Sequence, residues 1–144
     1  VGSTTLGASK GASRDDLDEE LNMPTFEPLD PDFPVARQVE IDAGPIVMVN
    51  LCTMAPEDED AFLAAWTSDA RFMKLQPGFI STQLHRALGA NPTYFNYAVF
   101  DSVAAWRDAF NHPEFRERLQ AHPASVIARP HLFEKVAVPD LCTA

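Results

Sequence analysis

Two stretches in the middle of the chain, 79–88 and 94–100, divide into sets of apolar and polar residues at alternate positions. In the first, Phe79, Ser81, Gln83 and His85 alternate with Ile80, Thr82, Leu84 and Arg86. In the second, Tyr94, Asn96, Ala98 and Phe100 alternate with Phe95, Tyr97 and Val99. A period of two predicts strands with two different faces. Leu88-Gly89-Ala90-Asn91-Pro92 lies between them and carries the residues of a hairpin connection. One face of this hairpin is expected to gather Ser81, Gln83, His85, Tyr94 and Asn96 beside Phe79 and Phe100. Polar groups and aromatics sharing a face suit a pocket wall.

The same reading extends outward. Residues 45–53 (PIVMVNLCT) are rich in β-branched residues and predict a strand. Ala55-Pro56-Glu-Asp-Glu-Asp60 opens a helix, with proline in the first turn and acidic residues at the positive end of its dipole. Phe62, Trp66 and Met73, with Leu63 and Ala70, form its apolar stripe, and Pro77-Gly78 stops it. Asp101-Ser102 is a candidate N-cap for a second helix carrying Trp106 and Phe110, which breaks at His112-Pro113 and restarts through Phe115 and Leu119. Residues 131–138 alternate again as a closing strand. The order β-α-β-β-α-β predicts an α+β, ferredoxin-like fold: a four-stranded antiparallel sheet with both helices on one face. The other face then carries Val47, Val49, Leu51, Ile80, Leu84, Phe95, Tyr97 and Val99. An apolar face of that size calls for a cover, and a homodimer pairing two sheets provides one.

Composition separates the first part of the chain from the rest. Residues 1–34 hold eight acidic residues against two basic ones, with Pro24, Pro28, Pro31 and Pro34. They are expected to form a disordered extension, with the folded domain spanning 35–144. Arg14–Leu21 could form a transient helix, and Met23, Phe26, Leu29 and Phe33 are spaced to dock an extended segment on a folded body. The net charge of −10 argues against nucleic acid as a partner. No apolar run approaches the roughly 20 residues that span a bilayer, and no hydrophobic leader opens the sequence. Cys52 and Cys142 have no metal-ligand spacing and read as reduced thiols of a cytoplasmic protein.

Three phrases, FMKLQPGFISTQLHR (72–86), FNYAVFDSVAAWR (95–107) and HPEFRERL (112–119), resemble the antibiotic biosynthesis monooxygenase family. The resemblance runs from Pro45 to Pro139 and implies a dimeric α+β barrel. One branch of that family oxidises anthrones and related phenols to quinones with O₂ as co-substrate and no metal or flavin. Its functional positions fall on His85, Asn96, Phe100, Trp106 and Arg116. The Asn-Tyr-Ala triplet stands at 96–98, whereas Phe100 replaces a tryptophan and Trp106 a tyrosine. A second branch degrades haem. Asn50 matches its first-strand asparagine, but Leu119 stands where its axial histidine would fall, and His112 and His122 flank that position out of register.

The resemblance thus implies a polyketide-type aromatic substrate. Asn50 and Asn96 would donate to the substrate oxyanion, Arg116 would stabilise negative charge and His85 would take the proton. Trp66, Phe100, Trp106 and Phe115 would stack on the rings, with Tyr94 and Phe79 completing the wall. Read without the family, Trp66 is a core position, Arg116 a surface charge and His85 a structural histidine. Asn50 and Asn96 stand apart, because an amide within an apolar strand costs free energy unless it has a partner. A cyclase or isomerase of the same fold, or a non-catalytic binding dimer, remains open, because fold alone does not choose among them.

Overall fold

The computed structural model describes residues 23–144. In chain order these form β1 (Thr25–Phe26), α1 (Val35–Gln38), β2 (Ile46–Thr53), a 3₁₀ turn (Pro56–Asp58), α2 (Glu59–Lys74), β3 (Phe79–Arg86), β4 (Thr93–Phe100), α3 (Val103–Phe110), α4 (Pro113–Leu119) and β5 (Ile127–Phe133). The fold is α+β and ferredoxin-like. Its sheet runs β1-β5-β2-β4-β3, and the last four of these strands are mutually antiparallel. β1 joins parallel to β5, so the sheet is mixed and five-stranded where four antiparallel strands were expected. No helix among the described residues is long and apolar enough to cross a membrane.

Local chemistry explains the element ends. Pro56 starts the turn that feeds α2, whose first turn holds Glu59 and Asp60 and whose last holds Arg71 and Lys74. Ser102 caps α3 by accepting from the Ala105 amide at 3.0 Å. Gly78, at φ +85°, turns the chain into β3 where a Cβ would lie 2.5 Å from the Ala105 Cβ and the Asp101 carboxylate. Only glycine combines that backbone angle with that approach.

The folded chain begins before the expected boundary near Val35. Thr25 and Phe26 pair with Ile127 and Ala128, Met23 packs on Phe72, Phe115 and Leu119, and Phe26 meets Phe110 edge-on. The apolar spacing of this segment therefore governs its placement more than its acidic, proline-rich composition does. The candidate helix Arg14–Leu21 lies outside the described residues. The closing strand also sits earlier than the expected 131–138. Val47↔Phe133 is the last pair that β5 makes with β2, which starts at Ile46. Alternation beyond Phe133 has no ladder to join, and a strand needs a partner.

The largest correction concerns the faces. β3 carries a register irregularity between Phe79 and Ser81, where Ile80 is the additional residue. One extra residue moves every following side chain to the opposite face. Phe79, Thr82, Leu84 and Arg86 consequently pair with Phe100, Ala98, Asn96 and Tyr94 on the helix side. Ser81, Gln83 and His85 pair with Val99, Tyr97 and Phe95 on the other side. His85, Gln83 and Ser81 therefore do not share a face with Asn96 and Tyr94. Leu84, expected on the bare face, packs instead with Phe62 and Tyr94, and Ile80 is exposed at the bulge.

The core lies between the sheet and the helices. Ile46, Met48, Ala98, Phe100 and Leu132 pack against Val103, Trp106 and Ala109 of α3. Cys52, Tyr94 and Ala128 pack against Phe62 of α2. A third cluster joins Phe72 of α2 to Phe115 and Leu119 of α4. The edge of β5 beyond β1 is closed by Gln38, whose amide donates to the Leu132 carbonyl at 3.0 Å and accepts from its N–H at 2.8 Å. A side chain here replaces a missing strand.

Candidate active site

Between the two larger core clusters the helices leave a gap over the middle of the sheet. Asn50 on β2 and Asn96 on β4 are direct cross-strand partners on the helix-facing side. Two amides side by side interrupt a run of mostly apolar residues on these two strands. Thr82 of β3 donates its hydroxyl to Asn96 Oδ1 at 2.6 Å, which leaves the Asn96 NH₂ group as a donor to anything in the gap. Asn50 Oδ1 is buried and has no hydrogen-bond partner. An unpaired buried amide oxygen is costly unless a ligand donates to it.

The gap is a concave space of about 560 Å³ when its mouth open to solvent is included. Its polar floor is Asn50, Asn96 and Thr82, and its walls include Trp66, Phe79, Phe100, Trp106, Phe110 and Phe115. A second lobe, about 390 Å³ with its mouth open to solvent included, shares Asn50, Trp66, Asp69, Phe110 and Phe115 with the first and is bordered by Pro24 and Phe26. The N-terminal segment thus contributes directly to the cavity. The rings hold one another: Trp106 stacks on Phe110 with centroids 4.8 Å apart, and Phe79 meets Phe100 edge-on at 5.6 Å. Trp106 and Phe100 are almost fully buried and belong to the core as well as to the cavity wall. Trp66 is half-buried and offers more of its surface.

Seven of the ten positions singled out from the sequence therefore line this space: Asn50, Asn96, Trp106, Trp66, Phe100, Phe115 and Phe79. Three do not. His85 stacks on Phe95, centroids 4.4 Å apart, on the opposite sheet face. Tyr94 is on the helix side but at the far end of its strand, where its hydroxyl donates to the Glu59 carboxylate. Arg86 and Tyr94 together hold Glu59 down at a pKa of about 2, the arginine contributing more. Arg116 donates to Asn111 Oδ1 at 2.7 Å, and its guanidinium lies over the Phe110 ring, 4.4 Å from the centroid. It backs a wall residue and does not line the cavity; its partial burial lowers its pKa. Distance along a helix or strand did not reveal which way these three side chains point.

Sequence reasoning also missed Asp69. This carboxylate lines both lobes and is buried, and its Oδ2 lies 2.6 Å from His122 Nε2. The signal was present: Asp69 interrupts the α2 stripe between Trp66 and Met73 at the i+3 and i+4 spacing of core positions. The residues do not fit a ligated haem. Leu119 is buried against Phe72 and Phe115, His112 Nδ1 accepts from the Glu114 amide at an exposed helix cap, and His122 faces Asp69. Among the described residues, no cluster of three His, Cys, Asp or Glu side chains is placed to hold a metal ion.

Comparison with known proteins agrees with this architecture. Among curated proteins no sequence relative reaches significance. The solved structure of SnoaB, a cofactor-independent oxygenase from Streptomyces nogalater, is similar at 28% identity and a TM-score of 0.60, covering 68% of this chain and 99% of that one. A structure described as a putative monooxygenase from Shewanella loihica is similar at 26% identity and a TM-score of 0.57, with coverage of 68% and 99%. A protein from Bordetella bronchiseptica at 19% identity, TM-score 0.57 and coverage of 66% and 100% shares the fold. Residues 45–121, more than half of the sequence and all of the cavity floor, match the model of the antibiotic biosynthesis monooxygenase family, to which this chain belongs.

Proposed function

We propose that this monooxygenase oxidises a phenolic, polyketide-type aromatic such as an anthrone or hydroquinone to a quinone, using O₂ and no metal, flavin or haem. The observation that carries the reading is the pair of facing amides, Asn50 and Asn96, under a roof of aromatic rings. Flat apolar rings match the walls, and a ring hydroxyl or carbonyl matches the floor. The likeness to an oxygenase described as cofactor-independent supports the same reading.

The chemistry sets the role of each group. Ionisation leaves a phenolate whose electron-rich ring carbon transfers one electron to O₂. Recombination forms a C–O bond, and the resulting peroxide loses water to give the carbonyl. For an anthrone, overall, a ring-flanked CH₂ becomes C=O; one oxygen atom of O₂ enters the product and the other leaves as water. The substrate supplies the electrons. The protein binds the rings, excludes water and stabilises the anion. The Asn96 NH₂, freed by the Thr82 hydrogen bond, donates to the oxygen that gains charge, and Asn50 Oδ1 accepts from a neighbouring hydroxyl.

The opposite sheet face bears Val47, Val49, Leu51, Phe95, Tyr97 and Val99, and this supports a homodimer joined through it. The deciding experiment is O₂ consumption by chelator-treated protein with a panel of anthrones and hydroquinones, with ¹⁸O₂ as label. With the anthrones, uptake of one O₂ per substrate and one ¹⁸O per quinone is expected. Tight binding of the same aromatics without O₂ uptake would instead make the protein a binding module.

A further inference from the structure

With His85 on the far side of the sheet, the cavity needs another group to take the substrate's proton. We propose that the buried pair Asp69–His122 is that acceptor, with Asp69 Oδ1 receiving the proton and His122 positioning the carboxylate; the inference rests on the phenol-oxidase reading above. Asp69 borders the cavity next to Trp66 and Asn50, and only 8% of its surface is exposed. Its two oxygens differ. Oδ2 is held by His122 Nε2 at 2.6 Å, whereas Oδ1 is buried with no hydrogen-bond partner. A carboxylate buried with half its acceptor capacity unused weakens a fold, and an apolar residue in the α2 stripe would pack better. A substrate O–H supplies the missing donor.

The surroundings fix this group in place. His122 Nδ1 is buried without a partner, and Nε2 is the ring nitrogen directed at Asp69. The imidazole ring lies against Phe62, with centroids 5.8 Å apart. Arg118 of α4 donates to the Ser68 carbonyl at 2.9 Å and to its hydroxyl at 2.7 Å, pinning the helical turn that carries Asp69. In the proposed step the substrate O–H bond breaks, an O–H bond forms at Asp69 Oδ1, and the electron pair stays on the substrate oxygen as phenolate. That oxygen then faces the Asn96 amide donor, and the pair has gained one proton, which returns to the peroxide oxygen as water departs. His122 keeps the carboxylate oriented by its hydrogen bond and acts through Asp69.

The test uses a phenol that cannot be oxygenated and whose colour reports ionisation. Alizarin is added to the full chain without O₂, at a mildly acidic pH where the free dye stays yellow and un-ionised. Wild-type protein is expected to bind it in the red, ionised form, and Asp69→Asn to bind it yellow with similar affinity. His122→Gln retains an N–H toward Asp69 Oδ2 and should keep most of the ionisation that His122→Leu loses. In turnover with an accepted anthrone, Asp69→Asn should lower kcat about 100-fold with little change in KM. Near-UV circular dichroism verifies folding, and if Asp69→Asn unfolds, the two His122 variants decide the matter. An ionised dye on Asp69→Asn, a yellow dye on wild type, or equal behaviour of His122→Gln and His122→Leu would overturn the inference while leaving the oxidase reading intact. Failure of wild type to bind the dye at all would overturn the aromatic-cavity reading and this inference with it.

Discussion

The two faces of the sheet are made from the same strands and similar residue types, yet they carry different burdens. On the helix side Ile46, Met48 and Phe100 are buried under α3, and the polar residues Asn50, Asn96 and Thr82 are concentrated where the helices leave a gap. On the other side Val49, Leu51, Phe95 and Tyr97 are only half-buried, and the polar members Gln83 and His85 are exposed along the β3 edge. A polar group on the covered face must find a partner or a ligand, whereas one on the open edge is satisfied by water. An asparagine in the middle of β4 therefore marks a candidate site, and a histidine near the exposed end of β3 does not.

That contrast is broken first through the covered face. Phe100 is fully enclosed, so Phe100→Ala should cost about 3–5 kcal/mol of stability, measured by urea unfolding. A loss below about 1 kcal/mol would show that the ring serves substrate more than packing. Next comes the polar floor. Asn96→Ala removes a donor to developing charge and should cut kcat about 100-fold while KM stays close to its starting value. His85→Ala, on the other face, should leave kcat within about twofold; a large loss would return His85 to the reaction. Steady-state oxygenation of one anthrone by both variants makes the comparison.

The open face is tested by association. Val49→Lys places a charge where the proposed dimer buries an apolar side chain, and about 2 kcal/mol of lost burial weakens the dimer roughly 30-fold. Sedimentation velocity across concentration should show that shift with unchanged secondary structure. The smallest effect belongs to the strand end away from the cavity. Glu59 is held at about pKa 2 by Arg86 first and Tyr94 second, so its stabilisation is complete above the ordinary carboxylate range and is lost as pH falls through about 2. Glu59→Gln should thus lower Tm modestly at neutral pH, with the gap to wild type closing toward pH 2. A constant gap across that window would mean the hydrogen bonds, not the charge, do the stabilising. The pair is partly exposed, which keeps the effect small.

Residues alone were enough for the order of the elements from β2 to β5, the ferredoxin-like class and the oddity of the two asparagines, because each depends on short-range periodicity. Apolar residues recurring every two or every three to four positions define strands and helices, and an amide in an apolar run stands out without any knowledge of its neighbours. Tertiary structure decided what periodicity cannot carry. One extra residue at Ile80 reversed the faces of β3 and removed His85 from the site, since a pleat inverts with every added residue. The partner strand's start at Ile46 ended β5 at Phe133. Met23 and Phe26 found apolar rings to cover, although their surrounding composition reads as unfolded. Asp69 became a candidate proton acceptor only when His122, 53 residues further on, closed against one of its oxygens and left the other bare. Pairings between distant segments depend on how helices pack on the sheet, and that packing is a property of the whole chain.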